Sequence, residues 1–162
     1  MEAMSPLTAT PVLLADLVWP SLLVEQRMLG VVPILAGLGA EWLALCFGGF
    51  GLSWKKALVV DVVMNSVSSG IGIVLIPLLG IAWEFIPGLL IQKVFHVGTF
   101  NPITWVGTFI ISVGATTAVE AAVVRWGFKI ALGQRRFWIL FGANAVSVGF
   151  AFASLWLHPP QF

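Results

Sequence analysis

Long apolar stretches dominate the chain, and short segments rich in charge, glycine or proline separate them. Four stretches are long enough to cross a bilayer, which takes about 20 apolar residues per helix. They cover residues 28–49, 57–83, 103–128 and 136–157. A backbone inside lipid must satisfy its own hydrogen bonds, and a helix does so within one segment. The pattern therefore predicts an all-α integral membrane protein with four transmembrane helices.

Two shorter apolar segments predict helices that lie at the membrane surface. Residues 11–23 are too few to span and include Asp16, while residues 85–95 contain Pro87 and Lys93. The resulting predicted segments are an N-terminal interfacial segment (1–27), a first transmembrane hairpin (28–83), an external connecting segment (84–102), a second transmembrane hairpin (103–157) and a C-terminal tail (158–162).

Composition agrees with the hydropathy pattern. The chain is 59% hydrophobic and only 9% charged, with a mean hydropathy of +1.03, whereas soluble domains carry about 25% charged residues. The net charge of +1 exerts no long-range attraction on nucleic acid. Cys46 is the single cysteine, which excludes an intrachain disulfide and a cysteine-based zinc site. These numbers favour a small multi-span membrane protein and argue against a nucleic-acid partner.

The distribution of basic residues predicts the orientation. Most of them cluster around the two hairpin turns, namely Lys55, Lys56, Arg125, Lys129, Arg135 and Arg136. Only Arg27 and Lys93 fall on the opposite side. Because cytoplasmic loops carry an excess of Lys and Arg, we expect both turns in the cytoplasm and both termini outside.

Scarce polar residues recur at a constant offset of 79 residues. The pairs are Glu41 with Glu120, Asn65 with Asn144, and Ser68 with Ser147. Both units run in the same direction through the membrane, so the repeat is parallel and its pseudo-twofold axis lies along the membrane normal, as in some transporters. Duplication of a stable hairpin, without transport, explains the repeat equally well.

Each predicted hairpin places its Glu and its Asn equally far from the turn. At a rise of about 1.5 Å per residue, both lie roughly 12 Å from the cytoplasmic helix ends. An Asn amide can donate to a carboxylate or accept from a carboxylic acid. We therefore expect a Glu–Asn contact within each hairpin.

The unit of Glu, basic turn and Asn-x-x-Ser covers residues 36–70 and 115–149. In this it resembles a loose group of small, uncharacterised four-span bacterial membrane proteins. The resemblance implies a location in the bacterial inner membrane and supplies no activity.

Polar residues form one stripe on each of three predicted helices and define a candidate intramembrane cluster. The stripes are Asp61, Asn65, Ser68, Ser69 and Gly72 on the second span, Thr108, Ser112, Thr116 and Glu120 on the third, and Asn144, Ser147, Ser154 and His158, with Ala151 completing the face, on the fourth. The members of the cluster are Glu41, Asp61, Asn65, Ser68, Thr116, Glu120, Asn144 and Ser147. Ionisable residues within a span are functional candidates by default, which suggests a cation or proton site. The alternative is a neutral Glu that bonds to Asn and holds helices together. Asp61 corresponds to Leu140 in the second unit, so it is either specialised or extends toward Lys56.

Motifs for enzymatic chemistry are missing from the chain. We find no phosphate-binding glycine loop, no His-Glu metal motif and no G-x-S-x-G elbow. His96, His158 and Glu84 are a weak metal candidate, and interfacial, solvated histidines are the stronger interpretation. We therefore expect no catalytic residue, no metal and no cofactor.

Two functions fit these features. The first is a non-catalytic accessory or structural subunit that packs in the bilayer beside other membrane proteins or copies of itself. The second is a minimal oligomeric transporter or channel that moves a small cation or protons through the intramembrane carboxyl groups.

Overall fold

The computed structural model describes residues 19–98 and 101–157, and its regular elements in these ranges are all helical. The helices are α1 (Trp19–Met28), α2 (Val31–Phe47), α3 (Trp54–Trp83), α4 (Leu89–Phe95), α5 (Pro102–Ala122) and α6 (Gln134–Leu157). Two π-helical turns, Glu84–Gly88 and Val123–Gly127, continue α3 into α4 and extend α5. The predicted all-α class is confirmed.

Three helical stretches are long and apolar enough to cross a membrane: Trp54–Phe95, Pro102–Gly127 and Gln134–Leu157. The second and third of these match the predicted spans 103–128 and 136–157 to within two residues at each end, whereas the first contains the predicted span 57–83 and continues 12 residues beyond it. The predicted first span differs, because α1 and α2 meet at an angle of 73°. Alone, α2 has 17 residues and is about 25 Å long. A fourth span therefore exists only if the bent pair is counted as one.

The break between α1 and α2 has a local cause. Pro33 has no amide hydrogen to donate to the carbonyl of Leu29, and its ring would collide with that carbonyl in a continuous helix. Gly30 instead adopts an extended conformation, with φ −71° and ψ 150°. Pro33 then falls in the first turn of α2, where proline is tolerated.

The expected interfacial helix at residues 85–95 is not a separate element. It continues α3, so that Trp54–Phe95 forms one helical stretch of 42 residues, about 63 Å long. Pro87 lies inside the π-helical turn, where the amide of Leu89 bonds to the carbonyl of Glu84. The wider π turn accommodates the proline without ending the helix. The other predicted interfacial helix covers residues 11–23, and residues 11–18 of it lie outside the described residues.

The four larger helices form a ring in which α2 and α5 each contact both α3 and α6. Helix α1 packs on α3, α5 and α6. One hydrophobic cluster lies toward the hairpin turns and includes Leu45, Met64 and Leu140. The other includes Val24 of α1 and Val148 of α6. A layer of polar side chains lies between these two clusters.

The two hairpin turns are joined directly. Arg136 Nε donates to the carbonyl of Gly49 over 3.0 Å, and its guanidinium lies 5.6 Å from the ring centre of Phe50. A second bond runs from Arg136 Nη1 to the carbonyl of Ala131. One arginine of the predicted cytoplasmic cluster is therefore a structural link between the hairpins.

The outer surface of the bundle is apolar. Val31, Ile86 and Trp156 are 72%, 75% and 88% exposed, and large apolar side chains are exposed on every helix. Such extensive apolar exposure is unusual for a monomer in water. It is compatible with insertion into a membrane.

Candidate functional site: a polar layer beside a carboxyl-lined cavity

Each hairpin contains the expected Glu–Asn contact. Asn65 Nδ2 donates to Glu41 Oε2 over 2.5 Å, which joins α3 to α2. Asn144 Nδ2 donates to Glu120 Oε2 over 2.5 Å, which joins α6 to α5. The predicted contacts are therefore confirmed in both hairpins.

Each asparagine also bonds to its own helix. Asn65 Nδ2 lies 3.1 Å from the carbonyl of Asp61, and Asn144 Nδ2 lies 3.2 Å from the carbonyl of Leu140. An amide nitrogen carries two hydrogens, so one can bond within the helix while the other reaches the glutamate. The same pair of bonds in both hairpins holds each amide nitrogen toward its carboxyl group.

Ser68 connects the two hairpins, whereas Ser147 makes a different bond. Ser68 Oγ donates to Glu120 Oε1 over 3.0 Å and so joins α3 to α5. Ser147 Oγ bonds to the carbonyl of Pro33 over 3.4 Å. It lies against Gly37, where an added Cβ would be only 2.7 Å from the hydroxyl oxygen. The equivalent serines therefore hold different partners.

Asp61 is completely buried. Its Oδ1 accepts from Asn65 Nδ2 over 3.1 Å, and its Oδ2 has no hydrogen-bond partner among the described residues. The alternative in which Asp61 extends toward Lys56 is therefore wrong, and the carboxyl group belongs to the polar layer.

A cavity of about 310 Å³ lies beside the polar layer. Seven of the eight predicted cluster residues line it, namely Glu41, Asn65, Ser68, Thr116, Glu120, Asn144 and Ser147. Asp61 is the member that does not. The cavity reaches the surface between α2 and α3, where the lining residues Ile34, Val62 and Ser66 are exposed.

Glu25 of α1 also lines the cavity, although it is not among the eight predicted cluster residues. Its side chain is only 7% exposed, and Oε2 has no hydrogen-bond partner among the described residues. Both carboxyl oxygens lie within 4 Å of the position that a Cβ on Gly72 would occupy. The predicted interfacial helix ends at residue 23, so Glu25 falls in the remainder of the predicted N-terminal interfacial segment (1–27), on the outer side of the membrane. Ser21 and Glu25 are four residues apart and therefore share one helix face, and this spacing is the sequence feature that indicates a polar stripe on α1.

The predicted polar stripes largely face the interior. On α5, all four stripe residues are buried: Thr108, Ser112, Thr116 and Glu120. On α3, Asp61, Ser68 and Gly72 are buried, Asn65 is half-buried and Ser69 is exposed. On α6, Asn144 and Ala151 are buried, while His158 lies outside the described residues.

The weak metal candidate gains no support. Within residues 19–98 and 101–157, no group of three or more His, Cys, Asp or Glu side chains could hold a metal ion. Glu84 is buried rather than solvated, and its Oε2 accepts from Gln92 Nε2 over 3.3 Å. His96 is exposed.

Comparison of the chain with protein-family models, curated proteins and solved structures finds no match. The chemistry of the cavity must therefore be judged from its residues. Its described lining contains three carboxyl groups, from Glu25, Glu41 and Glu120, and no Lys, Arg or His. Hydroxyl and amide groups supply the remaining polar contacts. Such a lining can accept hydrogen bonds from a cation or exchange protons.

Proposed function

We propose that this protein is a minimal membrane transporter that takes up a small cation or protons in the carboxyl-lined cavity. The cavity itself carries the proposal. It gathers Glu25, Glu41 and Glu120 around one space with no Lys or Arg among its described lining residues. Carboxyl groups within a membrane mark ion and proton pathways, and a cavity without fixed positive charge favours a cationic ligand.

The bend between α1 and α2 supports this proposal. Binding sites of secondary transporters are commonly formed by discontinuous helices. Here the break borders the cavity, because Met28 and Leu29 at the break are lining residues. The corresponding segment of the second unit belongs to α5, which runs unbroken from Pro102. We propose that a duplicated hairpin became specialised in its first unit.

The proposed location is the bacterial inner membrane, with the hairpin turns in the cytoplasm and both termini outside. A bundle of at most four spans offers little room for a complete pathway, so the proposal also requires oligomers. The protein acts without catalysing a reaction, and the proposal includes no cofactor, metal or nucleic acid.

Flux measurements on glutamine variants test the proposal. Glu41→Gln and Glu120→Gln keep the side-chain shape and remove the ability to carry charge. We expect either variant to abolish proton or monovalent-cation flux in reconstituted vesicles while its unfolding temperature stays close to that of the wild type. Glu84→Gln is the matched control, because Glu84 is buried but does not line the cavity. Unchanged flux in both cavity variants, or no flux in the wild type, would remove the transporter proposal.

A second candidate is a non-catalytic accessory or structural subunit, and the length of Trp54–Phe95 favours it. At about 63 Å, this helical stretch is about twice the thickness of a hydrocarbon core. Its far end nevertheless exposes Ile86, Leu90 and Phe95. Apolar side chains beyond the bilayer would gain from a covering partner, either another membrane protein or a second copy of this chain.

A further inference from the structure

We infer that the ligand of the cavity is a protonated amine with a short apolar body, and that its ammonium group binds Glu25. This inference rests on the proposed function, since it names the class of cation that the cavity accepts. It follows from two observations. The three carboxyl groups differ in their hydrogen-bond partners, and part of the cavity wall is apolar.

Of the three carboxyl groups that line the cavity, that of Glu25 has a buried oxygen without a hydrogen-bond partner among the described residues. Glu41 and Glu120 already accept from Asn65 and Asn144, and Glu120 also accepts from Ser68. Glu25 Oε2 is buried and accepts no bond from the described residues. A buried polar atom without a partner is costly, and native structures contain few of them. A ligand that donates hydrogen bonds at this position would satisfy it.

Gly72 gives this position its room. The carboxyl oxygens of Glu25 lie 3.8 and 3.9 Å from where a Cβ on Gly72 would be. A side chain larger than alanine there would occupy space beside the carboxyl group. An ammonium group has three hydrogen-bond donors and no acceptor. It can therefore donate hydrogen bonds to the carboxyl group of Glu25.

The size and the walls of the cavity favour an organic cation over a bare ion. A volume of about 310 Å³ is roughly ten times the space of one water molecule and lies at the lower end of small-molecule sites. The apolar part of the lining comes mainly from α1, α2 and the break between them, through Met28, Leu29, Ile34 and Leu38. A bare ion gains nothing from these side chains, whereas an alkyl chain does.

The opening between α2 and α3 suits such a ligand. Exposed apolar residues flank it on both sides, with Ile34 on α2 and Val62 on α3. Ser66 and Ser69 of α3 also line the cavity there. An amphiphilic amine dissolved in the bilayer could therefore enter sideways, with its charged end directed inward.

Binding of hexylammonium to the full-length protein in nanodiscs tests the inference. The comparison ligands are hexanol, which has the same chain without the charge, and sodium ions. We expect hexylammonium to bind at least about tenfold more tightly than hexanol, since a charged hydrogen bond is worth that much. Sodium ions should not compete. Glu25→Gln should weaken hexylammonium binding about tenfold or more and leave hexanol unchanged, whereas Glu84→Gln should change neither.

A second variant keeps the inference testable if Glu25→Gln fails to fold. Gly72→Leu fills the space beside the carboxyl group and should also weaken hexylammonium binding. Equal affinity for hexylammonium and hexanol, or full hexylammonium binding by Glu25→Gln and Gly72→Leu, would overturn the inference. The proposed function would survive that outcome if ion flux still depended on Glu41 and Glu120. It would fail separately if the wild type carried no flux of protons, of inorganic cations or of hexylammonium.

Discussion

At the scale of single residues, the polar layer depends on two asparagines in equivalent places. Each amide nitrogen reaches across to a glutamate and back to its own helix, so one short side chain serves two helices. An interhelical bond of this kind contributes about 0.6–1.7 kcal/mol in membrane proteins. The contribution is modest, but the glutamates would otherwise be buried with fewer partners.

Asn144→Ala should therefore destabilise the protein by about 1–2 kcal/mol, because Glu120 would keep only Ser68 as a donor. Chemical unfolding in mixed micelles measures the change. Ser154→Ala is the control, since Ser154 Oγ bonds only to the carbonyl of Ala151 on its own helix and its loss should cost less than about 0.5 kcal/mol. Equal stability of the two variants would show that the Glu–Asn contact does not hold the hairpin together.

At the scale of helices, three prolines lead to three different outcomes. Pro33 coincides with the break before α2, Pro77 lies within the continuous α3, and Pro87 is accommodated by a π-helical turn. Inside membrane helices proline is tolerated where neighbouring groups satisfy the freed carbonyl. The presence of a proline in this chain therefore does not by itself determine whether a helix breaks.

Close helix contacts depend on particular glycines, and Gly107 is the clearest case. An added Cβ would collide with the indole ring of Trp83 on α3. Gly107→Ala should separate α5 from α3 and destabilise the protein by about 1–3 kcal/mol. Gly114→Ala on the same helix is the control, because its Cβ would meet nothing within 4 Å, and alanine there should be neutral or stabilising by up to about 1 kcal/mol. Thermal unfolding of both variants checks the pair. Similar stability would mean that the indole moves aside freely.

At the scale of the whole molecule, the polar layer lies between two hydrophobic clusters, one on the side of the hairpin turns and one on the side of α1. The cluster toward the hairpin turns separates the layer from the basic loops. Helix α1 packs across α3, α5 and α6 on the other side. Among the described residues, the exposed lining of the cavity lies between α2 and α3, at Ile34, Val62 and Ser66.

Association of the molecule can be tested on the outward face of α5. Ala118 is exposed, and Gly114 has open space around it. Gly114→Leu or Ala118→Leu should leave the folded monomer intact but disturb a complex that uses this small-residue face. Native mass spectrometry after mild-detergent purification reports the size and composition of the complex. Gly70→Leu on α3, also without close neighbours, is the control. No change in either α5 variant would show that this face is not an assembly surface.

The sequence by itself determined the helical class, the positions of three long apolar helices and the Glu–Asn pairs. These features are local: apolar length predicts a spanning helix, and equal distance from a turn places Glu41 beside Asn65 and Glu120 beside Asn144. The polar stripe of α5 was predicted for the same reason, since residues four apart share a helix face.

Only the tertiary structure decided the rest, because it depended on contacts between segments distant in the chain. Gly80 lets Ser21 approach α3 closely, and Gly72 leaves room for Glu25. These two contacts turn α1 from a surface helix into a wall of the cavity. The burial of Asp61 and the unequal partners of Ser68 and Ser147 likewise follow from how the hairpins pack. Hydropathy reports how apolar a segment is, but not which neighbour covers it.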